Sequence, residues 1–216
     1  SLRMLYLYCF YAAANICKEF NLDLRTYIQT TGETPYGLRD MTSTADYRFQ
    51  IYNSLAFGSH YITYYQYGTK TYANEHNAGF FNLMDGTYNW SYEAIKTVNH
   101  EVKNFQDVLC AYRYDDLMLK NKDDLYPNLN FSTIAEPLAS HPNVNFKAVT
   151  TDTMMTVLKH KDNQSPAFML LNYSDPYFNE TDTVTLHFPK AKGLLMYRLG
   201  QKIVVNLPLS REYTFK

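Results

Sequence analysis

The amino-acid sequence predicts an α/β half followed by an all-β half. Residues 1–115 follow the order helix, strand, helix, strand, helix, which is the pattern of a parallel β–α–β unit. Residues 131–216 contain short β-prone runs separated by Gly, Pro and Asp turns, which is typical of an antiparallel β-sandwich. Residues 116–130 continue a cluster of Asp and Lys between these halves, and we predict a linker there.

The first two helices are predicted from apolar spacing and from capping residues. Residues 2–20 carry apolar side chains at helical spacing, and we expect these positions to form the apolar stripe of the first helix: Leu5, Cys9, Ala12, Ala13, Ile16 and Phe20. Asn21 is suited to end that helix. Ser43 and Asp46 resemble a capping box at the start of the second helix, with Asp in place of Glu, and Gly58 is its predicted end.

Two predicted strands, residues 22–29 and 60–67, are each followed by a long loop. The first loop has about fourteen residues and the second more than twenty. Loops of this length inside a compact domain are usually functional or disordered. Because both loops follow strands and precede helices, they lie on one rim of a parallel sheet, where α/β proteins place their active sites. We therefore expect functional residues near the ends of these two strands.

The remaining elements follow from turn and cap signals. Phe80–Gly86 is typical of a short hairpin or turn, and Asn89 is suited to cap a third helix that carries apolar residues from Tyr92 to Leu109. Trp90, at the start of this helix, is expected to pack rather than to contact a ligand. The strands predicted in the second half are residues 146–150, 154–159, 167–172, 183–188, 194–198 and 202–207.

Charge and composition exclude several classes of partner. The formal net charge is −1, and neither nucleic acid nor an acidic membrane is predicted as a partner. No apolar run reaches the roughly 20 residues of a membrane span. The three cysteines lack the spacing of a disulfide framework, so we predict buried free thiols. The sequence has no cofactor motif, and Glu75 and His76 lack the spacing of metal ligands.

The chain begins in an unusual way. Ser1 leads directly into helical sequence, with no initiator Met and no signal peptide. We expect residue 1 to lie inside a larger polypeptide. Export is neither supported nor excluded, and a secreted or periplasmic location stays open.

Loose patterns of apolar, Gly and Asn positions occur in several stretches of the first half: Tyr27–Gln29, Arg48–Gly58, Ile62–Tyr65, Gly79–Gly86 with Tyr92, and Val98–Glu101. Together these stretches resemble the last part of a glycoside hydrolase barrel of the β-galactosidase-like, clan-A type. The resemblance implies that residues 1–115 run from helix six to helix eight and close a (β/α)8 TIM barrel. The second half resembles the small β-sandwich that often follows such barrels, at Phe168–Ser174 and Thr183–Leu186.

The resemblance implies a carbohydrate substrate and hydrolysis of its glycosidic bonds. Retaining enzymes of this type need two carboxyl groups about 5 Å apart. In clan-A barrels these are Glu residues that end strands four and seven. Strand four is not in this chain, and Gln29 stands at the strand-seven position, where an amide cannot act as nucleophile. We therefore expect the fragment alone to be inactive and to need the upstream half of the same protein.

Five residues are candidates for the site. Glu33 is the nearest carboxylate that could take over a catalytic role. Gln29 either bonds a sugar hydroxyl or ties down its own loop. Tyr65, Gln66 and Tyr67 are candidate substrate-binding residues, because clan-A barrels often place an aromatic platform at this strand end and β alternation puts Tyr65 and Tyr67 on one face.

Two other function classes remain open. One is a non-catalytic glycan-binding protein on a degenerate barrel, and the other is a structural or assembly module. The abundance of tyrosine, 21 residues, is compatible with sugar binding because its ring has a flat apolar face and a hydroxyl.

Overall fold

The computed structural model describes residues 2–33, 40–69, 75–76, 79–83, 85–120, 135–178 and 180–216. This part of the chain is a mixed helix-and-sheet protein with several small antiparallel sheets. Its helices are α1 (Leu2–Phe20), α2 (Thr44–Ala56), α3 (Trp90–Lys103) and α4 (Gln106–Ala111), with a 3₁₀ turn at Pro176–Phe178. The strands of its first part are β1 (Arg25–Gln29), β2 (Gly32–Glu33), β3 (Tyr61–Tyr65), β4 (Gly68–Thr69), β5 (Glu75–His76), β6 (Phe81–Asn82) and β7 (Tyr112–Lys120). The strands after residue 134 are β8 (Asn145–Val149), β9 (Thr153–His160), β10 (Pro166–Asn172), β11 (Val184–His187), β12 (Gly193–Arg198), β13 (Gln201–Asn206) and β14 (Glu212–Phe215).

The predicted parallel β–α–β unit is confirmed. Strand β1 pairs with β3 in parallel register, from Arg25 opposite Tyr61 to Gln29 opposite Tyr65, and α2 is the crossover helix. Ile28 packs with α2 and α3 on the helix-facing side of this two-stranded sheet. The opposite face, which carries Tyr27, is exposed to solvent.

Local sequence signals set the ends of α2 and the start of α3. The Asp46 carboxylate accepts hydrogen bonds from the backbone N–H groups of Thr42 (2.9 Å) and Ser43 (3.0 Å), so the predicted cap is confirmed. Gly58 follows the helix end with φ of 82°, a left-handed conformation that favours glycine. The Asn89 side chain accepts from the Ser91 backbone N–H (3.0 Å) at the start of α3, as predicted.

Helix α1 is confirmed, but the apolar positions that predicted it do not define its buried face. The buried face carries Leu7, Tyr11 and Ala14, whereas Ile16 and Phe20 are 53% and 64% exposed. Nearly every position of this helix is apolar, so periodicity alone does not select the face that packs. The prediction of buried thiols is also wrong for two of the three cysteines, since Cys9 on α1 and Cys110 on α4 are exposed.

The predicted linker is wrong for residues 116–120, which lie in strand β7. Asp115, the first charged residue of the cluster, lies in a bulge after Tyr114, where it is the extra residue opposite β9. The Asp115 carboxylate forms ion pairs with Lys18 of α1 (3.1 Å) and Lys159 of β9 (2.8 Å). Residues 121–130 of the predicted linker lie outside the described residues.

The six strands predicted in the second half are confirmed as antiparallel strands, and β14 follows them. Strands β10–β9–β7 form one sheet and β14–β11–β8 another. Strand β9 is buried on both sides: Met154 and Leu158 share a hydrophobic cluster with Leu7 of α1, whereas Met155 and Val157 share one with β8, β11 and β14. The sheet of β9 is therefore a common layer between the helices and the second sheet.

Within the described residues, no helix is both long and apolar enough to cross a membrane.

Candidate functional site

The carboxyl ends of β1 and β3 lie side by side and form the candidate site. Gln29 and Tyr65 are register partners in the last position of the two strands. Beyond them, the Thr30 backbone N–H donates to the Tyr65 carbonyl (2.7 Å) and the Thr30 hydroxyl donates to the Gln66 carbonyl (2.8 Å). These bonds hold the starts of both loops together at one rim, as the chain order predicted.

The Gln29 side chain contacts its own loop. Its Nε2 donates to the Thr31 carbonyl at 2.6 Å. Its backbone is bonded to Gln50 of α2, whose Oε1 accepts from the Gln29 N–H (2.8 Å) and whose Nε2 donates to the Gln29 carbonyl (3.2 Å). Of the two roles that the sequence left open, the loop-tying one is therefore present in the structure.

The solvent-exposed face of the β1–β3 sheet, next to this rim, is aromatic. In the register of β1 and β3, the side chains of Tyr27, Tyr61 and Tyr65 belong to the same side of the sheet, opposite to Ile28. All three tyrosines are exposed, and Tyr65 is 52% exposed next to Gln29. The Arg25 guanidinium lies 4.5 Å from the centre of the Tyr61 ring. This cation–π contact stabilises the Tyr61 ring at the end of the face away from the rim. A flat ring that is half exposed at a strand end can stack on another ring.

Tyr67 does not share a face with Tyr65, and that prediction is wrong. Its ring contacts Phe80 (5.6 Å between centroids) and Phe81 (4.9 Å), and Phe80 also contacts Tyr64 (5.4 Å). Tyr67 therefore lies on the side of Tyr64, which faces the helices. Strand β3 ends at Tyr65, and the alternation of side chains holds only within an extended strand. The peptide bond between Tyr65 and Gln66 is cis.

Glu33 lies in β2, where the backbone pairs with β5 and sets Glu33 opposite Glu75. The side chain of Glu33 is outside the described part of the structure. Gln66 is half-buried, and its carbonyl is held by Thr30. Trp90 packs against the Tyr47 ring (5.8 Å between centroids), as expected for a packing residue.

A cavity of about 320 Å³ lies between the end of β3 and helix α3, and the sequence did not predict it. Its wall contains Tyr64, Tyr67, Phe80 and Tyr92, and its α3 side adds Ile95 and four polar residues: Lys96, Asn99, His100 and Lys103. The Tyr64 hydroxyl donates to Asn99 Oδ1 (2.5 Å). Burial raises the pKa of Tyr64 above its ordinary value, and the bond to Asn99 opposes part of this rise.

No protein-family model matches the chain, and neither a curated protein nor a solved structure matches it. The resemblance to glycoside hydrolases therefore stays a prediction.

Proposed function

We propose that this chain is the closing segment of an α/β barrel in a carbohydrate-active protein of the glycoside hydrolase type, and that its rim binds a sugar ring at Tyr65. The observation that carries the proposal is the pairing of Gln29 with a half-exposed Tyr65 at the carboxyl ends of two parallel strands. This is the position at which α/β barrels place their ligands. Gln66 belongs to the same rim.

The surface of the first half supports an incomplete barrel. Parallel sheets are normally covered on both faces, yet β1 and β3 have one exposed face that carries three tyrosines. Among the described strands, each of these two pairs only with the other, so each has an open edge. Helix α1 also exposes Ile16 and Phe20. A neighbouring strand and helix from the upstream half of the same protein would cover these surfaces.

The chemistry at the rim supports binding rather than cleavage by this chain. An amide can neither attack the sugar as a nucleophile nor act as a general acid or base. The Gln29 amide instead donates to the Thr31 carbonyl. An amide in place of a carboxylate favours the second candidate function, a non-catalytic glycan-binding protein on a degenerate barrel. Glu33 remains the candidate carboxylate if the longer protein hydrolyses its ligand.

The first experiment titrates the 216-residue chain with a panel of neutral oligosaccharides and measures binding by calorimetry. Tyr65→Ala should weaken binding by roughly fivefold to tenfold, because it removes one stacking ring from the rim. Tyr177→Ala is the matched control, since Tyr177 is 65% exposed in the 3₁₀ turn at Pro176–Phe178. Binding that is unaffected by Tyr65→Ala contradicts the rim, and absence of binding to every sugar favours an assembly module.

A second assay compares hydrolysis of aryl glycosides by this chain and by the longer polypeptide that the barrel proposal requires. We expect no turnover by the chain alone. Turnover by the longer polypeptide identifies a glycosidase, and Glu33→Gln then tests for a displaced carboxylate. Binding without turnover by both proteins identifies a glycan-binding protein on a degenerate barrel.

A further inference from the structure

The cavity beside α3 has an aromatic wall that faces basic side chains. The Phe80 ring lies edge-on to both Tyr64 and Tyr67, at interplanar angles of 75° and 85°. Tyr92 adds a fourth ring to the lining, and Ile95 is buried behind it. The volume of about 320 Å³ is at the lower end of the range for small-ligand pockets. The wall therefore offers room and flat apolar surface for a small ring.

The α3 side of the cavity is basic. Lys96, His100 and Lys103 are spaced by four and three residues, so they follow one stripe of the helix. None of the described residues that line the cavity is Asp or Glu. Lys96 lies 5.8 Å from the centre of the Tyr92 ring, and its ammonium group forms an exposed ion pair with Glu93 at 3.4 Å. Within the described part of the chain, Lys103 has no carboxylate partner.

We propose that this cavity binds an acidic sugar residue, with the sugar ring against the aromatic wall and its carboxylate or sulfate group at Lys96 and Lys103. The proposal rests on the proposed carbohydrate function and extends it from neutral to acidic glycans. Tyr67 connects the two regions, because it follows the rim residues Tyr65 and Gln66 directly and lines the cavity. The lysines supply the positive charge that binds an acidic group, and the rim at Gln29 supplies none.

The experiment compares three oligosaccharides of equal length: a neutral one, one built from uronic acids and one that carries sulfate groups. Calorimetry with the 216-residue chain should show tighter binding of an acidic ligand than of the neutral one. The advantage should fall as salt is added, because the lysines are exposed. A preference for the uronate or for the sulfated ligand identifies which anion the cavity takes, and either one supports the proposal.

Variants that remove charges test whether Lys96 and Lys103 bind the acidic group of the ligand. The double variant Lys96→Gln with Lys103→Gln keeps a good helix propensity and should weaken acidic-ligand binding by about tenfold, from roughly threefold for each exposed charge. Lys147→Gln makes the same change at an exposed position of β8 and should leave binding unchanged. Glu93→Gln should strengthen acidic-ligand binding about twofold, because it releases Lys96 from its ion pair. Misfolding cannot produce that gain.

Equal binding of neutral and acidic ligands would overturn the cavity proposal and leave the rim proposal standing. An acidic preference that survives the double lysine variant would overturn it as well. Conversely, acidic-ligand binding that depends on the lysines but resists Tyr65→Ala supports the cavity and contradicts the rim. Failure of all three ligands to bind refutes both.

Discussion

Strand β9 should make the two halves of the chain unfold together. Met155 is fully buried on the side of β9 that faces β8, β11 and β14. Its neighbour Met154 is fully buried on the side that faces α1. We predict that Met155→Ala destabilises the helical half as much as it destabilises the antiparallel sheets, although Met155 does not belong to the hydrophobic clusters that contain helix side chains.

The expected size of the effect follows from the complete burial of Met155. Truncation of a buried Met to Ala costs about 2 to 5 kcal/mol, since apolar surface is lost and a cavity is left. We expect Met155→Ala to lower the free energy of unfolding by about 3 kcal/mol. For a chain of about this length, each kcal/mol changes the melting temperature by roughly 2 to 4 °C, which gives a decrease of about 6 to 12 °C.

The single tryptophan provides the assay. Trp90 packs on Tyr47 in the helical half, so its fluorescence reports that half alone. Circular dichroism in the far ultraviolet reports all elements together. In urea or on heating, Met155→Ala should move the midpoints of both signals by the same amount. Val204→Ala is the control, because Val204 is 74% exposed on β13 and its truncation should cost less than about 0.5 kcal/mol.

A Trp90 midpoint that stays in place while the circular dichroism changes would refute this reasoning. It would mean that the halves are independent units, which is the organisation that the predicted linker suggested. If Met155→Ala lowers the free energy of unfolding by much less than about 2 kcal/mol, neighbouring side chains collapse into the space left by Met155.

Two further predictions concern ion pairs that connect distant elements. The Glu101 carboxylate on α3 accepts a hydrogen bond from Arg48 Nη2 of α2 at 2.6 Å in a largely buried position. Glu101→Gln should therefore lower the free energy of unfolding, measured by urea titration, by about 1 to 2 kcal/mol. A loss below about 0.5 kcal/mol would show that solvent screens the pair. Burial raises the pKa of Asp115, but hydrogen bonds and charges from Lys159 and Lys18 outweigh it, so the folded-state pKa lies below the ordinary value. Asp115 therefore stabilises the fold above its unfolded pKa of about 3.9, and this contribution is lost as the pH falls through the folded pKa. Asp115→Asn should unfold with a shallower dependence on acid below about pH 5, and parallel curves for the two proteins would contradict the assignment.

Features set by neighbouring residues could be predicted from the sequence. The caps at Asp46 and Asn89, and the positive φ at Gly58, depend on residues a few positions away. The parallel pairing of β1 and β3 also follows, because a strand, a helix and a strand in succession leave few arrangements. The meeting of Gln29 and Tyr65 at one rim was a direct consequence of that order.

Other features depended on contacts between distant segments and were predicted wrongly or missed. The cluster of Asp and Lys that begins at Asp115 suggested a linker, but Asp115 pairs with Lys18 and Lys159 from other elements. Tyr67 could not be placed, since its direction depends on where β3 ends and on Phe80. The cavity was missed for the same reason, because Tyr64, Tyr67 and Phe80 of its aromatic wall are distant in the chain from its basic side on α3.

The sequence by itself determined the β–α–β order of the first half, the six strands from β8 to β13, the ends of α2, the start of α3 and the residues at the rim, because caps, turns and alternation act over a few positions. Only the tertiary structure decided which face of α1 is buried, that β7 joins the sheet of β9, and that Lys96 and Lys103 face aromatic rings. Each of these outcomes depends on packing between segments far apart in the chain. A helix such as α1, with apolar residues at most positions, satisfies its local preferences with either face inward.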